Sequence, residues 1–337
     1  MMITITETGP GNPDFHLFTD LPGCIYPPGS IRLKTPETIP TDFLRACFLV
    51  RDGENVVARA SIYDNPLMRY AGQHAFSVGN YECADRDEYA SALLAHIVST
   101  VKSWGGTFLI GPMNGSTWEG YRFLADHTNP LFFTEPHHHL YYNRQFQAAG
   151  LEPIAHYYSN IDRGMELDHP ELLARERELK AQGVTIRPID LSDFEAEVNR
   201  VYDFNLLAFK TNFLYTPISR EAFLKKYLQT KVYINPELTL MAEDKMGNLV
   251  GYFFCIHDFY NTQNKTLIVK TLARHPAPEW RGLGHVIGNL IYHKAVELGY
   301  TSAIHSFIYE QGTSTKLSTH FSGTHYRSYV LYGKHLA

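Results

Sequence analysis

The chain has few cysteines. Four occur in 337 residues, Cys24, Cys47, Cys83 and Cys255, and no two of them form a Cys-x-x-Cys pair. Scattered cysteines argue against a disulfide framework and against metal ligation, and they leave a catalytic thiol open. We expect each thiol to be a buried core residue, and free cysteines of this kind favour a cytoplasmic location.

The sequence also lacks the marks of a nucleic-acid-binding or membrane protein. Its net charge is -5, and no block of basic residues occurs. No apolar run reaches the roughly 18 residues that a membrane-spanning helix needs. The first fifteen residues have neither the basic start nor the apolar core of a signal peptide. We therefore expect neither nucleic acid nor a membrane among the partners.

Metal-binding signatures are missing in spite of 17 histidines. No His-Glu-x-x-His occurs, and the densest group is the run His137, His138 and His139. Consecutive side chains of an extended chain point in alternate directions, so three in a row seldom share one ion. The run predicts a polar loop, and we expect no metal.

The sequence does contain enough core material for two domains. Hydrophobic residues make up 44% of the chain and aromatic residues 13%, which suits two globular domains of ordinary size. A charged helical segment that ends at Gly183 lies between them. We place an N-terminal domain at residues 1–164, a linker helix at 165–183 and a C-terminal domain at 184–337.

The two halves repeat one pattern at an offset of 194 residues. A helical segment followed by Gly105 and the strand 108–110 recurs as a helical segment followed by Gly299 and the strand 302–308. Such self-similarity predicts two copies of one α/β unit, with a left-handed glycine after each helix.

The most informative segment is LIVKTLARHPAPEWRGLGHVIGNLIYHKAVELG, residues 267–299. A strand-like run leads through a loop to Arg281-Gly282-Leu283-Gly284, and an amphipathic helix follows. Free backbone N–H groups at a helix N-terminus, the helix dipole and glycines that allow close approach together favour phosphate binding. The loop is neither a P-loop nor a dinucleotide fingerprint, because no Gly-Lys-Ser/Thr follows and the third glycine, Gly288, is one residue late.

The first copy is acidic at the corresponding place. Asp87, Glu88 and Ala90 stand where the second copy has an arginine and two glycines. Acidic side chains suit the dipole of a helix without a ligand and repel a pyrophosphate. We therefore expect only the C-terminal copy to bind a phosphate-bearing ligand.

The loop resembles the acetyl-CoA motif of the GCN5-related N-acetyltransferases, Arg/Gln-x-x-Gly-x-Gly/Ala. Arg281, Gly282 and Gly284 match the motif, and Val286 stands where the family prefers Gly or Ala. The order of predicted elements through the second half is also similar to that of the family. Residues 45–160 resemble the N-terminal half of uncharacterised bacterial two-domain acetyltransferase-like proteins.

The resemblance implies an α/β (α+β) fold of two tandem acyl-CoA N-acyltransferase units. Each unit would be a mixed, mostly antiparallel sheet flanked by helices. The implied reaction is direct transfer of an acyl group from acetyl-CoA, or another acyl-CoA, to an amine of a small molecule or peptide. The implied cofactor residues are Leu272 and Ala273, whose backbone N–H groups would polarise the thioester carbonyl, and Arg281, Gly282, Leu283, Gly284, His285 and Val286.

The acid and the base are less well marked. Thr319 occupies the place where the family often has its tyrosine, and Tyr326, His320 and Ser318 lie nearby in sequence. Candidates for the base are His257, Asp258, His275 and Glu310. From these we select Tyr326, His257 and Glu310 as the catalytic residues. Tyr329 and Tyr332 in the last strand are predicted to share a face.

The acceptor cleft is predicted between the two copies, because ligand sites favour domain interfaces. Its expected lining is aromatic and consists of Trp118, Tyr121, Phe213 and Tyr215. Two alternatives stay open. The missing tyrosine and Val286 also suit a protein that senses CoA without turnover, and some tandem copies of this fold use aminoacyl-tRNA, although no basic patch supports that here. The chain would be a monomer or a homodimer, since the aromatic last strand suits burial within the chain or pairing with a second copy.

Overall fold

The computed structural model describes residues 2–34, 38–167, 169–312 and 314–336. Asp168 of the predicted linker and Thr313 of the predicted C-terminal domain lie outside the described residues, as do residues 1, 35–37 and 337. The strands are β1 Ile3–Thr8, β2 Leu44–Asp52, β3 Asn55–Tyr63, β4 Arg69–Tyr70, β5 Gln73–His74, β6 Phe76–Cys83, β7 Phe108–Gly111, β8 Phe123–Leu124, β9 Glu152–Asp162, β10 Thr185–Pro188, β11 Thr239–Glu243, β12 Leu249–His257, β13 Thr266–Arg274, β14 Ser302–Tyr309 and β15 Thr324–His335. The helices are α1 Phe15–Asp20, α2 Pro22–Ile25, α3 Asp87–Ser103, α4 Tyr141–Ala148, α5 Pro170–Ala181, α6 Phe194–Ala208, α7 Arg220–Leu228, α8 Leu283–Glu297 and α9 Ser314–His320.

The strands form one 13-stranded sheet and a separate β4–β5 hairpin. The order across the large sheet is β1-β2-β3-β6-β7-β15-β9-β14-β13-β12-β11-β10, and β8 pairs with β15. The pairs β6–β7 and β13–β14 are parallel, whereas the other pairs are antiparallel. The mixed, mostly antiparallel sheet with flanking helices confirms the predicted fold class.

The two units share this sheet because they exchange their last strands. β9 is the last strand of the N-terminal unit but pairs with β14 of the second unit, and β15, the last strand of the second unit, pairs with β7 of the first. β9 and β15 also pair with each other in the centre of the sheet. Both strands are therefore covered at each edge, which removes edges that would otherwise recruit another chain.

The internal repeat is visible in the helix boundaries. Helix α3 ends at Ser103 and helix α8 at Glu297, which lie 194 residues apart. Gly105 and Gly299 follow them with φ of 80° and 82°, so the two left-handed helix stops that the sequence predicts are confirmed. No helix among the described residues has the length and apolar character to cross a membrane.

Two details of the core differ from expectation. Tyr329 packs in one apolar cluster with Leu331, whereas Tyr332 packs in another with Val330. The prediction that the two tyrosines share a face is therefore wrong, because successive side chains of a strand alternate between its faces and residues three apart point to opposite sides. Cys24 is exposed while the other three cysteines are buried, so the prediction of a core cysteine fails at this position on the short helix α2.

Candidate functional site

The predicted phosphate loop forms the N-terminus of helix α8. Gly282 precedes the first helical turn and has a φ of 85°. Residues other than glycine rarely adopt this backbone conformation. The backbone N–H groups of Gly282, Leu283 and Gly284 donate no hydrogen bond to any described residue. Three free donors at the positive end of a 15-residue helix are a ready site for an anion.

Helix α5 supports this loop from outside. Arg175 donates from Nε to the carbonyl of Arg281 at 3.0 Å and from Nη2 to the carbonyl of Glu279 at 2.6 Å. Its Nη1 also bonds to Glu178 at 2.8 Å. The helix in the predicted linker therefore fixes the loop by binding two of its carbonyls, while the side chain of Arg281 stays exposed.

The loop lies directly against a split in the sheet. β13 and β14 pair only from Thr266–Ser302 to Val269–His305, so residues 270–274 have no strand partner on that side among the described residues. Gly284 faces Leu272 within this unpaired segment, where an added Cβ would lie 3.1 Å from the leucine side chain. The structure thus places Leu272 against Gly284 of this loop, and the cofactor role of these residues stays a prediction.

Lys270 stands at the start of the split. A bulge pairs Phe254 with Thr271 and Cys255 with Val269, so Lys270 has no residue opposite on β12. A bulge re-aims side chains and frees backbone groups. The lysine Nζ lies 4.6 Å from the centre of the Phe307 ring on β14.

The charge of Lys270 is disfavoured in this position. Burial, together with the positive charges of Arg122 and Lys226, lowers the pKa of Lys270 to about 7. The amine is therefore close to half neutral at physiological pH, which suits a group that accepts and returns a proton. Sequence reasoning missed this residue, because a lysine in a strand usually indicates a solvent-facing position.

The three predicted catalytic residues have different surroundings. The hydroxyl of Tyr326 donates to the carbonyl of Pro130 at 2.9 Å in an apolar cluster. His257 pairs with Leu267, so it lies roughly 20 Å along the strand from Ala273. Glu310 follows β14 on the split side and is exposed at a cavity of about 380 Å³. Its backbone N–H donates to the carbonyl of His156 on β9.

The other predicted acids and bases make internal contacts. Ser318 bonds to His305 Nδ1 and to Asn160, both at 2.8 Å. Asp258 accepts from the backbone of Phe133 at 2.9 Å and of Tyr260 at 3.1 Å. His275 Nδ1 accepts from the Ala277 backbone at 3.1 Å, and Thr319 donates to the Thr315 carbonyl at 3.0 Å. These contacts order loops and helix ends.

The predicted cleft residues do meet across the two halves. Trp118 Nε1 donates to the Thr216 carbonyl at 2.8 Å, and its ring lies 6.0 Å from that of Tyr215. Phe213 stacks on Tyr309 at 5.0 Å, and Tyr121 packs on Tyr157 at 5.8 Å. An aromatic junction therefore joins the segment after β7 to the segment after α6.

The corresponding split in the N-terminal half is filled by the chain itself. The backbone of Met113 bonds to the Val78 carbonyl, and Asn114 accepts from the backbone of Asn80. A Cβ on Gly79 would lie 2.2 Å from the Asn114 side chain, so only glycine fits here. At the start of α3, Arg144 bridges the two acidic residues Asp85 and Asp87 at 2.6 and 3.0 Å.

Three histidines that are far apart in sequence, His169, His285 and His320, lie close together near the start of α8, and no sequence pattern indicated this cluster. His169, Glu171 and His320 offer ligand atoms within 4.8 Å of one another, and His285 of the phosphate loop lies 5.0 Å from the His320 ring. The run of residues 137–139 lies in an irregular segment, as predicted. Burial, with the positive charge of Arg32 next in weight, lowers the pKa of His138 to about 3.

Comparison with models of known families and with curated protein sequences finds no match. Solved structures, in contrast, match the fold over the whole chain. A tandem GNAT protein from the clavulanic acid biosynthesis pathway has a TM-score of 0.52 at 12% identity, covering 100% of this chain and 99% of that one. A probable N-acyltransferase from Enterococcus faecalis has a TM-score of 0.58 at 10% identity, with coverage of 100% and 73%.

A third similar structure belongs to a longer protein. It is a GCN5-related glucosamine N-acetyltransferase region in a fungal multi-domain β-N-acetylglucosaminidase, with a TM-score of 0.55 at 11% identity. The match covers 99% of this chain and 38% of that one, so the chain spans less than half of that protein. At these identities the likeness establishes a shared fold, and the chemistry has to be argued from the site.

Proposed function

We propose that this chain, which has the fold of the tandem GCN5-related N-acetyltransferases, is an acyl-CoA-dependent N-acyltransferase. It would transfer an acyl group from acetyl-CoA, or another acyl-CoA, directly to an amine of a small molecule or peptide. The observation that carries the proposal is the contact of an anion-binding helix start with the split between β13 and β14, where Gly284 faces Leu272.

The cofactor residues follow from this arrangement. The free N–H groups of Gly282, Leu283 and Gly284 are the donors for the pyrophosphate, and the exposed side chain of Arg281 adds a positive charge. The pantetheine arm would enter the split, which has an unpaired backbone edge on β13. Donors on that edge, around Leu272 and Ala273, suit the thioester carbonyl as its oxygen gains charge.

Lys270 is the group we assign to proton transfer. Acyl transfer forms a bond between the amine nitrogen and the carbonyl carbon, breaks the carbon–sulfur bond and leaves one amine proton to be removed. A lysine with a pKa of about 7 accepts that proton near neutrality and can return it to the departing thiolate. The role requires no redox partner or further reactant.

The N-terminal half would act as a scaffold for the acceptor. Its sheet split is filled by residues 112–122, and its helix α3 begins with acidic residues held by Arg144. Both features argue against a second CoA. Its aromatic residues Trp118 and Tyr121 instead form one wall of the junction with Phe213 and Tyr215.

Calorimetric titration with acetyl-CoA tests the cofactor assignment. The Gly284→Asp variant puts a negative charge on the loop, and Gly284→Asn, of nearly equal size without the charge, is the matched control. We expect the intact chain to bind, the Asn variant to bind more weakly and the Asp variant to lose binding. Glu88→Gln, at the equivalent acidic helix start, should bind like the intact chain.

Release of free CoA with a panel of amines then separates an enzyme from a CoA-sensing protein. Lys270→Met should retain acetyl-CoA binding and lose most turnover at neutral pH. Binding without thiol release for any amine would favour the sensor, whereas no binding to the intact chain would remove the acyltransferase proposal altogether.

A further inference from the structure

Arg122 is a buried arginine that has no anionic partner within the described part of the chain. The residue is 7% exposed, and its Nε and Nη1 atoms make no hydrogen bond with the described residues. No carboxylate of the described residues forms an ion pair with it. An unpaired buried charge is costly, so a position of this kind calls for a partner that arrives from outside.

The other two buried arginines of the described residues each have a glutamate close by. Arg327 bonds to Glu135 through Nε at 2.9 Å and Nη2 at 3.2 Å, and Arg59 lies 3.9 Å from Glu82. Among the three buried arginines of the described residues, Arg122 therefore differs in having no glutamate. The described residues supply glutamates to Arg59 and Arg327 and none to this guanidinium.

Aromatic rings hold Arg122 in place. Its Cζ lies 4.2 Å from the ring centre of Tyr121, 4.3 Å from Phe307, 4.9 Å from Tyr157 and 5.8 Å from Tyr329. Cation–π contacts favour the charge over the ring faces but do not satisfy the N–H groups at the edge of the guanidinium. The side chain is thus fixed in position while its fork of donors remains available for an oxyanion.

A second cation shares this place. Lys270 and Arg122 both contact the Phe307 ring, with Nζ at 4.6 Å and Cζ at 4.3 Å from its centre. Lys226, the next cation, is already paired with Glu119 at 2.7 Å. Neither Lys270 nor Arg122 has a carboxylate partner among the described residues. The two positive charges therefore repel each other, and a bound anion would relieve that repulsion.

Arg122 lines one cavity, and two of the rings that contact it line a second. Tyr121 and Arg122 line a cavity of about 80 Å³, and Tyr157 and Tyr329 line the larger one of about 380 Å³ beside Glu310. The smaller cavity also contains Glu82, which is already bonded to Arg32 at 2.8 Å and to Tyr142 at 2.7 Å. Glu82 is thus held by other residues, and Arg122 has no carboxylate partner among the described residues of this cavity.

We infer that Arg122 binds an oxyanion, a carboxylate or a phosphate, carried by the acceptor amine. The inference rests on the proposed function and narrows it to acceptors with an anionic group. Arg122 fixes that group at the junction of the two halves, while the amine lies toward Lys270 and the sheet split. A guanidinium fork suits either oxyanion, since both accept two parallel hydrogen bonds.

The test uses acetate and inorganic phosphate as probes of the whole chain. Each is added at constant ionic strength against chloride, and the thermal unfolding midpoint is followed as a measure of binding. We expect acetate, phosphate or both to raise the midpoint of the intact chain beyond chloride. In Arg122→Met the apparent affinity should fall by roughly ten- to a hundredfold, the range expected for hydrogen bonds to a charged group.

A matched variant controls for folding. Arg122→Met removes an unpaired charge and keeps an apolar stem in the aromatic cage, so its midpoint without probe should equal or exceed that of the intact chain. Arg327→Met removes a paired buried charge and should lower the midpoint. A midpoint for Arg122→Met that falls as far as that of Arg327→Met would show an internal partner and overturn the inference.

The remaining outcomes separate this site from the cofactor loop. An effect of phosphate that survives in Arg122→Met but disappears in Gly284→Asp would place the anion on the loop and contradict the inference. So would the absence of any effect of either probe on the intact chain. Acetyl-CoA binding with no anion response refutes this inference alone, whereas an anion response without acetyl-CoA binding refutes the proposed cofactor.

Discussion

The substitution Lys270→Met gives a stability change whose sign depends on pH. Methionine has nearly the length of lysine and no charge, so it fits beside Phe307 without creating a large cavity. The wild-type protein folds with this amine beside Arg122 and Lys226, and burial with these charges lowers its pKa from 10.5 to about 7.

The magnitude follows from proton linkage. Between pH 7 and 10.5 the unfolded chain holds a proton on Lys270 that the folded chain has released, so the free energy of unfolding rises with pH through this window. Below about pH 7 the folded protein carries the whole cost of the buried ammonium, about 5 kcal/mol at 1.36 kcal/mol per pKa unit. Methionine removes that cost, so the variant should have the larger free energy of unfolding at about pH 6. About 4 kcal/mol of this difference from wild type should disappear by about pH 10.

Urea denaturation of both proteins at these two pH values measures the effect. Only the difference between wild type and variant is compared, so other titrating groups cancel. Lys225→Met removes an exposed lysine of α7 and is the matched control, whose difference should be the same at both pH values. A Lys270→Met difference that does not change with pH would refute the argument that the amine is buried beside other cations.

Three further predictions concern other contacts. Glu135→Gln leaves Arg327 unpaired in the interior and should lower the free energy of unfolding by about 3–5 kcal/mol; a loss under about 1 kcal/mol in urea titration would contradict this. Arg175→Ala removes the donors that hold the phosphate loop, and calorimetry should show acetyl-CoA binding weakened by roughly tenfold or more, with unchanged affinity as the contrary result. Gly79→Ala would drive a methyl group into Asn114 and should destabilise the fold by about 1–3 kcal/mol, which an unaltered thermal midpoint would disprove.

The fold class and the loop were predictable because they depend on local patterns. Helix α8 begins after Gly282, and helices α3 and α8 stop at Gly105 and Gly299. All three glycines have a positive φ, which other residues rarely adopt, so the sequence alone indicates these helix ends. The repeat at an offset of 194 residues likewise reflects the same elements in the same order.

The strand exchange was not predictable in the same way. Apolar patterning shows that β9 and β15 are buried, but it does not show which strands lie beside them. The boundaries 1–164, 165–183 and 184–337 remain a prediction, although β9 and β15 each pair with strands of the other half. The neighbours of β9 and β15 are set by pairing between strands far apart in sequence, and a local sequence pattern does not indicate such pairing.

The chemistry of the site depends on similar long-range contacts. Lys270 becomes notable only through the bulge opposite Cys255 and the end of pairing at Val269. Arg122 becomes notable only through rings from β9, β14 and β15 and the absence of a described carboxylate partner. No spacing in the sequence indicates either residue. Of the catalytic candidates chosen from sequence, His257 lies roughly 20 Å along the strand from Ala273, and the hydroxyl of Tyr326 is bonded to the Pro130 carbonyl.

A structure of the chain crystallised with CoA tests the central claim most directly. The account predicts the pyrophosphate on the backbone N–H groups of Gly282 to Gly284, the pantetheine arm between β13 and β14, and the thiol within reach of Lys270. CoA seated at the acidic start of α3 near Asp87, or between other elements of the sheet, would contradict the account.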